Sequence, residues 1–147
     1  MSSMNLKIKR VDITLPLPTY QTEGSVAFDL YARTDMTVPP WTPTIIPANI
    51  IVEVPRGYFL MIASRSSTPI KKRLMIANSV GVIDQDYHGD TDEIGIQVLN
   101  FSDDHVSVTR GERIAQALIV KIAKVERFDE VGSIKATSRG GFGSTGS

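Results

Sequence analysis

Apolar positions in this chain come in short runs rich in β-branched residues, each closed within a few positions by proline, glycine or a polar cluster. That pattern predicts an all-β sandwich or barrel. Strands are predicted over Leu6 to Val11, Ile45 to Ile46, Ile50 to Val54, Tyr58 to Ala63, Ile94 to Leu99 and Val106 to Thr109. In Ile50 to Val54 the alternation is blurred, as expected of a strand covered on both faces. Pro39, Pro40, Pro43 and Pro47 crowd one stretch. Proline gives no N–H to a ladder, so this stretch is expected as connection or sheet edge. Ile114 to Val125 fits a helix face or a strand by periodicity, and its isoleucine and valine content favours strand. Ser67 to Leu74 opens with residues able to cap and a proline near the first turn, which predicts one short helix. No internal repeat is visible. From Ala136 the chain becomes small, polar and Gly-rich around Phe142, so a domain over residues 1–135 is expected to carry a flexible arm over 136–147.

A length of 147 residues suits one domain with a sizeable core. Lys plus Arg equals Asp plus Glu at 16 each, so no global basic field favours stable nucleic-acid binding. An anionic ligand must then be held by a local cluster. The absence of cysteine excludes disulfides, thiolate zinc sites and thiol nucleophiles. No stretch approaches the roughly 18 to 20 apolar residues of a membrane span, and the N-terminus has no apolar signal core. A cytoplasmic protein is the expectation.

The two histidines, His88 and His105, lie in polar sequence without a second ligand at metal spacing. The Gly-rich GGFGSTG run sits at the chain end with no following helix, so it fits an arm whose N–H groups wrap a phosphate better than a Walker loop. A hydrolase of this composition must draw its base from carboxylates. The segment GVIDQDYHGD offers Asp84, Asp86 and Asp90 after an apolar lead-in, Val80 to Ile83, that would fix one of them at a strand end. Partial burial there would raise the carboxyl pKa and make it a better proton acceptor. Alone, the segment reads first as a hairpin whose acids solvate a turn. SRSS, Ser64 to Ser67, sets an arginine among hydroxyls, a combination suited to phosphate oxygens. Alone, it reads as a surface loop with an ordinary salt bridge.

Taken in order, AFDLYA (Ala27 to Ala32), SRSS, Asn78 through GVIDQDYHGD, GERIAQ (Gly111 to Gln116) and GGFGSTG (Gly140 to Gly146) resemble the five motifs of the trimeric dUTPase family. The resemblance implies a distorted jelly-roll-like barrel and a homotrimer with shared active sites. It implies hydrolysis of dUTP to dUMP and pyrophosphate, which limits uracil in DNA and supplies dUMP for dTMP synthesis. Asp84 matches the base that activates water for in-line attack on the α-phosphorus, with Asp86 structural. Asn78 and the backbone of Gly81, Val82 and Ile83 match the uracil reader, and Tyr87 matches the aromatic that leaves no room for a 2′-hydroxyl. Arg65, Ser66 and Ser67 match phosphate ligands given by a neighbouring subunit, with Gln116 a further phosphate contact. Asp29 matches the acid that orients waters on a magnesium ion carried by the triphosphate. Phe142 matches the ring stacked on uracil, and Gly143, Ser144 and Thr145 match the clamp on the distal phosphates.

The chain departs from the family pattern in places. AFDLYA replaces the usual GYDLYA, Ser64 and Ser67 replace the outer residues of PRSG, and Thr137 stands where an arginine is usual. Arg139 is the available substitute for that γ-phosphate contact. Two other readings use the same residues: a dCTP deaminase, which shares the barrel type and an RSS segment, and a non-catalytic nucleotide-binding regulator.

Overall fold

The computed structural model describes residues 3–146. It is nearly all β, with eleven strands and one helix in the order β1(Lys7–Arg10), β2(Phe28–Tyr31), β3(Met36–Val38), β4(Thr44–Pro47), β5(Ile50–Glu53), β6(Tyr58–Ser64), α1(Thr68–Lys72), β7(Leu74–Ile76), β8(Gly81–Ile83), β9(Gly95–Asn100), β10(Val106–Val108) and β11(Arg113–Lys121). Every strand predicted from the pattern is present. The ambiguous Ile114 to Val125 stretch is a strand, but it ends at Lys121.

All strand-to-strand pairings are antiparallel, split over four sheets, and one isolated parallel bridge joins Pro40 to Asn100. β1 pairs with β5, and β10 with β3. The larger sheets run β2-β11-β6-β8 and β4-β9-β7. The envelope is jelly-roll-like, though no single closed ladder runs round it. Leu30, Ile46, Leu60, Ile62, Leu74 and Ile96 meet between the sheets, each at most 2% exposed. The double burial read in Ile50 to Val54 holds, since Ile50, Ile51, Val52 and Val54 are all buried. Pro47 lies in β4, an edge strand paired only with β9, where its missing donor leaves no gap in the ladder.

Helix α1 is a single turn with Pro69 in its first turn and Ser67 at the N-cap position, whose side chain makes no capping bond. It is secured instead by Thr68, whose buried hydroxyl donates to the Ile114 carbonyl at 3.0 Å. Asn49 is buried with φ 71°, a conformation asparagine tolerates. Its side chain accepts from the Asp12 N–H at 2.7 Å and donates to the Asp12 carbonyl at 3.0 Å, pinning the N-terminal segment to the β4–β5 turn. Among the described residues no helix is long and apolar enough to cross a membrane.

Candidate active site

The four-stranded sheet brings the polar residues of three motifs together at one end. Gln116 on β11 pairs with Asp29 on β2 and with Ala63 on β6. Directly opposed residues share a face, so Asp29 and Gln116 stand side by side, with Arg65 just past the end of β6. Arg65 Nε lies 3.0 Å from Asp29 Oδ1, and Gln116 Nε2 donates to the Ser64 carbonyl at 3.0 Å. Ser66 is exposed and Ser67 half-buried at the mouth of this cluster. Arg113, which the sequence reading passed over, completes it: Nη1 lies 3.3 Å from Asp29 Oδ2. Simple alternation along β11 would set Arg113 on the face opposite Gln116, so spacing offers no signal for it.

The nucleoside-side residues occupy a different edge. β8 is the outer strand of its sheet, paired with β6 alone, so the far-side N–H and C=O groups of Gly81, Val82 and Ile83 have no strand partner among the described residues. A row of unpaired backbone groups is a template for another hydrogen-bonding edge, as a pyrimidine presents. The segment is not a paired hairpin, because β7 and β9 both belong to the other sheet. Asn78 lies exposed in the turn before β8, where Val80 N–H donates to its carbonyl at 2.8 Å and Ser79 takes φ 66°. Tyr87 is 39% exposed with its hydroxyl donating to the Glu93 carbonyl at 3.0 Å, so it is not a core tyrosine.

Asp84 follows the last residue of β8, at a strand end as the apolar lead-in predicted. The partial burial expected there is not furnished by one chain: Asp84 is exposed beside an open cavity of about 720 Å³ also lined by Arg56, Gln85, Asp86, His88 and Lys124. The physical reason is that β8 is an edge strand and its flank is left open. Gln85 Oε1 accepts from the Gly57 N–H at 2.7 Å and ties this loop to the turn before β6.

Within one chain the two clusters are far apart. Ile83 pairs with Leu60, so Asp84 is level with Phe59, while Arg65 follows the opposite end of β6. At the usual strand rise the separation is roughly 20 Å, longer than an extended triphosphate.

The arm forms a third group. The last bond tying the chain end to the body is Ile122 N–H to the Gly57 carbonyl at 2.9 Å. Beyond it, hydrogen bonds among the described residues are local, such as Ser144 N–H to the Gly141 carbonyl at 3.1 Å. Arg139, Phe142, Gly143, Ser144 and Thr145 are all exposed, and none of them meets the other two clusters through a hydrogen bond. Phe142 and Gly143 take φ 50° and 88°.

For magnesium, the described residues contain no group of three or more acidic, histidine or cysteine side chains that could hold an ion. The donor set does suit a hydrated ion that arrives with phosphates, because such an ion keeps most of its waters. Asp29 retains lone pairs beyond its two guanidinium contacts and can accept from metal-bound water.

A family model described as dUTPase matches residues 14–146. The deoxyuridine 5'-triphosphate nucleotidohydrolase of Dictyoglomus turgidum is 39% identical over 145 residues, covering 95% of this chain and 96% of its own. Among solved structures, the dUTPase of Staphylococcus bacteriophage 80alpha with dUPNHPP superposes with a TM-score of 0.85 at 25% identity, covering 99% of this chain and 100% of that one. The dUTPase of S. aureus phage phi11, a protein with a structural Mg(II) ion, superposes at 0.77 with 20% identity, covering 90% and 100%. A match across both the body and the arm, with every motif in order, is decisive: the chain belongs to the dUTPase family.

Proposed function

We propose that this chain hydrolyses dUTP to dUMP and pyrophosphate in a homotrimer, each site joining the Asp84 edge of one subunit to the Arg65 cluster of the next. The observation that carries this is the separation of the two clusters. A base and a phosphate-binding arginine too far apart to share one nucleotide within a chain come together only if copies abut. Abutment also supplies the cover that Asp84 lacks.

In this reading the free edge of β8, with Asn78, pairs with uracil, and cytosine is refused because its reversed donors leave buried groups unsatisfied. Tyr87 packs against the deoxyribose. Asp84 takes the proton of a water aligned with the α-phosphorus, a positioned base being worth about 10² to 10⁴ in rate. Arg65, Ser66, Ser67 and Gln116 bind the phosphate oxygens and offset the charge that builds there. Asp29 would orient the waters of a magnesium ion, which when bound neutralises phosphate charge. Phe142 stacks on the base while Arg139, Gly143, Ser144 and Thr145 close on the distal phosphates and exclude water.

The test is to incubate the purified protein with magnesium and each deoxynucleoside triphosphate in turn. Consumption of dUTP alone, with dUMP and pyrophosphate as products, is expected. Ammonia from dCTP, or binding of a dUTP analogue without any hydrolysis of dUTP, would overturn the reading.

A further inference from the structure

A β-bulge in β11 decides which side chains surround Arg65. In a regular strand Arg113 and Gln116, an odd number of residues apart, face opposite sides. Here Gln116 pairs with Asp29, Ala115 with Leu30 and Arg113 with Tyr31, so β11 uses one residue more than β2 over the same stretch. Ile114 and Ala115 both turn to the core, 1% and 0% exposed. Arg113 thereby returns to the face of Asp29 and Gln116, the kind of re-aiming for which bulges near sites are used.

The result is a closed ring of contacts around Arg65. Arg113 Nη1 lies 3.3 Å from Asp29 Oδ2, Asp29 Oδ1 lies 3.0 Å from Arg65 Nε, and Arg65 Nη1 donates to the Arg113 carbonyl at 3.2 Å. The Nη1 hydrogen bond to the Arg113 carbonyl and the ion pair of Nε with Asp29 together restrain the Arg65 guanidinium and leave its Nη2 edge for a ligand. The side chain of Asp29 is only 10% exposed, so these attractions are weakly screened. Two guanidiniums on one carboxylate leave the cluster with a net positive charge. Without Arg113 it would be a neutral pair, and Arg65 would be drawn to Asp29 rather than to phosphate.

We propose that Arg113 is a positioning residue for the reaction, holding Asp29 by one oxygen so that the other aims Arg65 at the phosphate chain. This rests on the reading of Arg65 as a phosphate ligand. Arg113 acts through Asp29 and has no separate contact with substrate.

The test is a double-substitution cycle on the full-length protein, measured with enzyme in excess so that slow variants are readable. Arg113→Gln is expected to lower kcat about 10- to 100-fold, the range for a misplaced catalytic contact, with KM for dUTP within about threefold. Arg113→Lys, which keeps the charge, loses less. In the Arg65→Ala background, Arg113→Gln should change the rate by less than about twofold, because there is nothing left to aim. A loss in that background as large as in the parent would overturn the proposal and leave the Arg65 assignment standing. Unchanged activity in Arg65→Ala alone would remove both. Should Arg113→Gln fail to fold, Arg113→Lys takes its place, and its smaller loss must likewise vanish in the Arg65→Ala background.

Discussion

Asp84 and Asp29 are both aspartates at strands of one sheet, yet their surroundings suit them to opposite work. Asp29 is buried with a guanidinium on each oxygen, which suits it to orienting cations. Asp84 is exposed, and its carboxylate has no side-chain partner among the described residues, so its lone pairs are free to take a proton from water. Asp84→Asn is therefore expected to lower kcat by about 10² to 10⁴ while the protein still binds a nonhydrolysable dUTP analogue; calorimetry and a pyrophosphate assay on the same preparation check both halves. Arg65→Ala should lower turnover by roughly 10² to 10³, the cost of removing one donor to developing charge. Asp12, outside both clusters, is a third case. The Thr14 hydroxyl, followed by the Arg110 guanidinium and the Thr14 N–H, holds its carboxyl well below the ordinary value of 3.8. A depressed folded-state pKa means that the stabilisation is complete above the unfolded value and is lost as pH falls through the folded one. Urea unfolding should thus show Asp12→Asn less stable than the parent by a constant margin from about pH 7 to pH 5, and the margin should shrink below about pH 4.

At the scale of elements, short β8 controls where Asp84 stands. Gly81 packs so close to β6 that an added Cβ would lie 2.8 Å from Ile62 Cβ. Neither backbone nor branched side chain can yield there, so Gly81→Ala should cost about 1 to 3 kcal/mol by overpacking, read as a lowered urea midpoint, and should displace Asp84 from its post. The same scale explains what the sequence disclosed. Runs such as Tyr58 to Ala63 were long enough to show a strand period. The strands at Phe28, Met36 and Leu74 showed no such period, and Phe28, Asp29 and Leu30 are buried in succession, which erases alternation. The strand end at Asp84 was legible from its apolar lead-in, but its exposure was not, since that depends on which strands flank β8. Arg113 was hidden by the bulge, because one inserted residue reverses every face assignment before it. Motif order could find the segments that matter; spacing alone could not tell which of their residues touch.

For the whole molecule, the proposed trimer makes one subunit an unfinished device. The segment that leads into the arm is exposed, with Phe128 and Ile134 at 89% and 82% accessible, an arrangement that fits cover from another copy. Deleting residues 136–147 removes no hydrogen bond to the body among the described residues. The truncated protein should accordingly keep its melting temperature and its trimeric sedimentation, while turnover falls by roughly 10²-fold from loss of closure. Full activity in the truncation would show that the arm is no lid.

The sharing of sites between copies can be tested without a ligand-bound structure. Asp84→Asn and Arg65→Ala proteins, each nearly inactive, are unfolded together in equal amounts and refolded. In a cyclic trimer each site takes its base from one subunit and its arginine from a fixed neighbour, so random mixing should restore about a quarter of the parent rate. If the mixture stays at the level of its two inactive parents, Asp84 and Arg65 of the partner subunit do not serve one nucleotide, and the account is wrong.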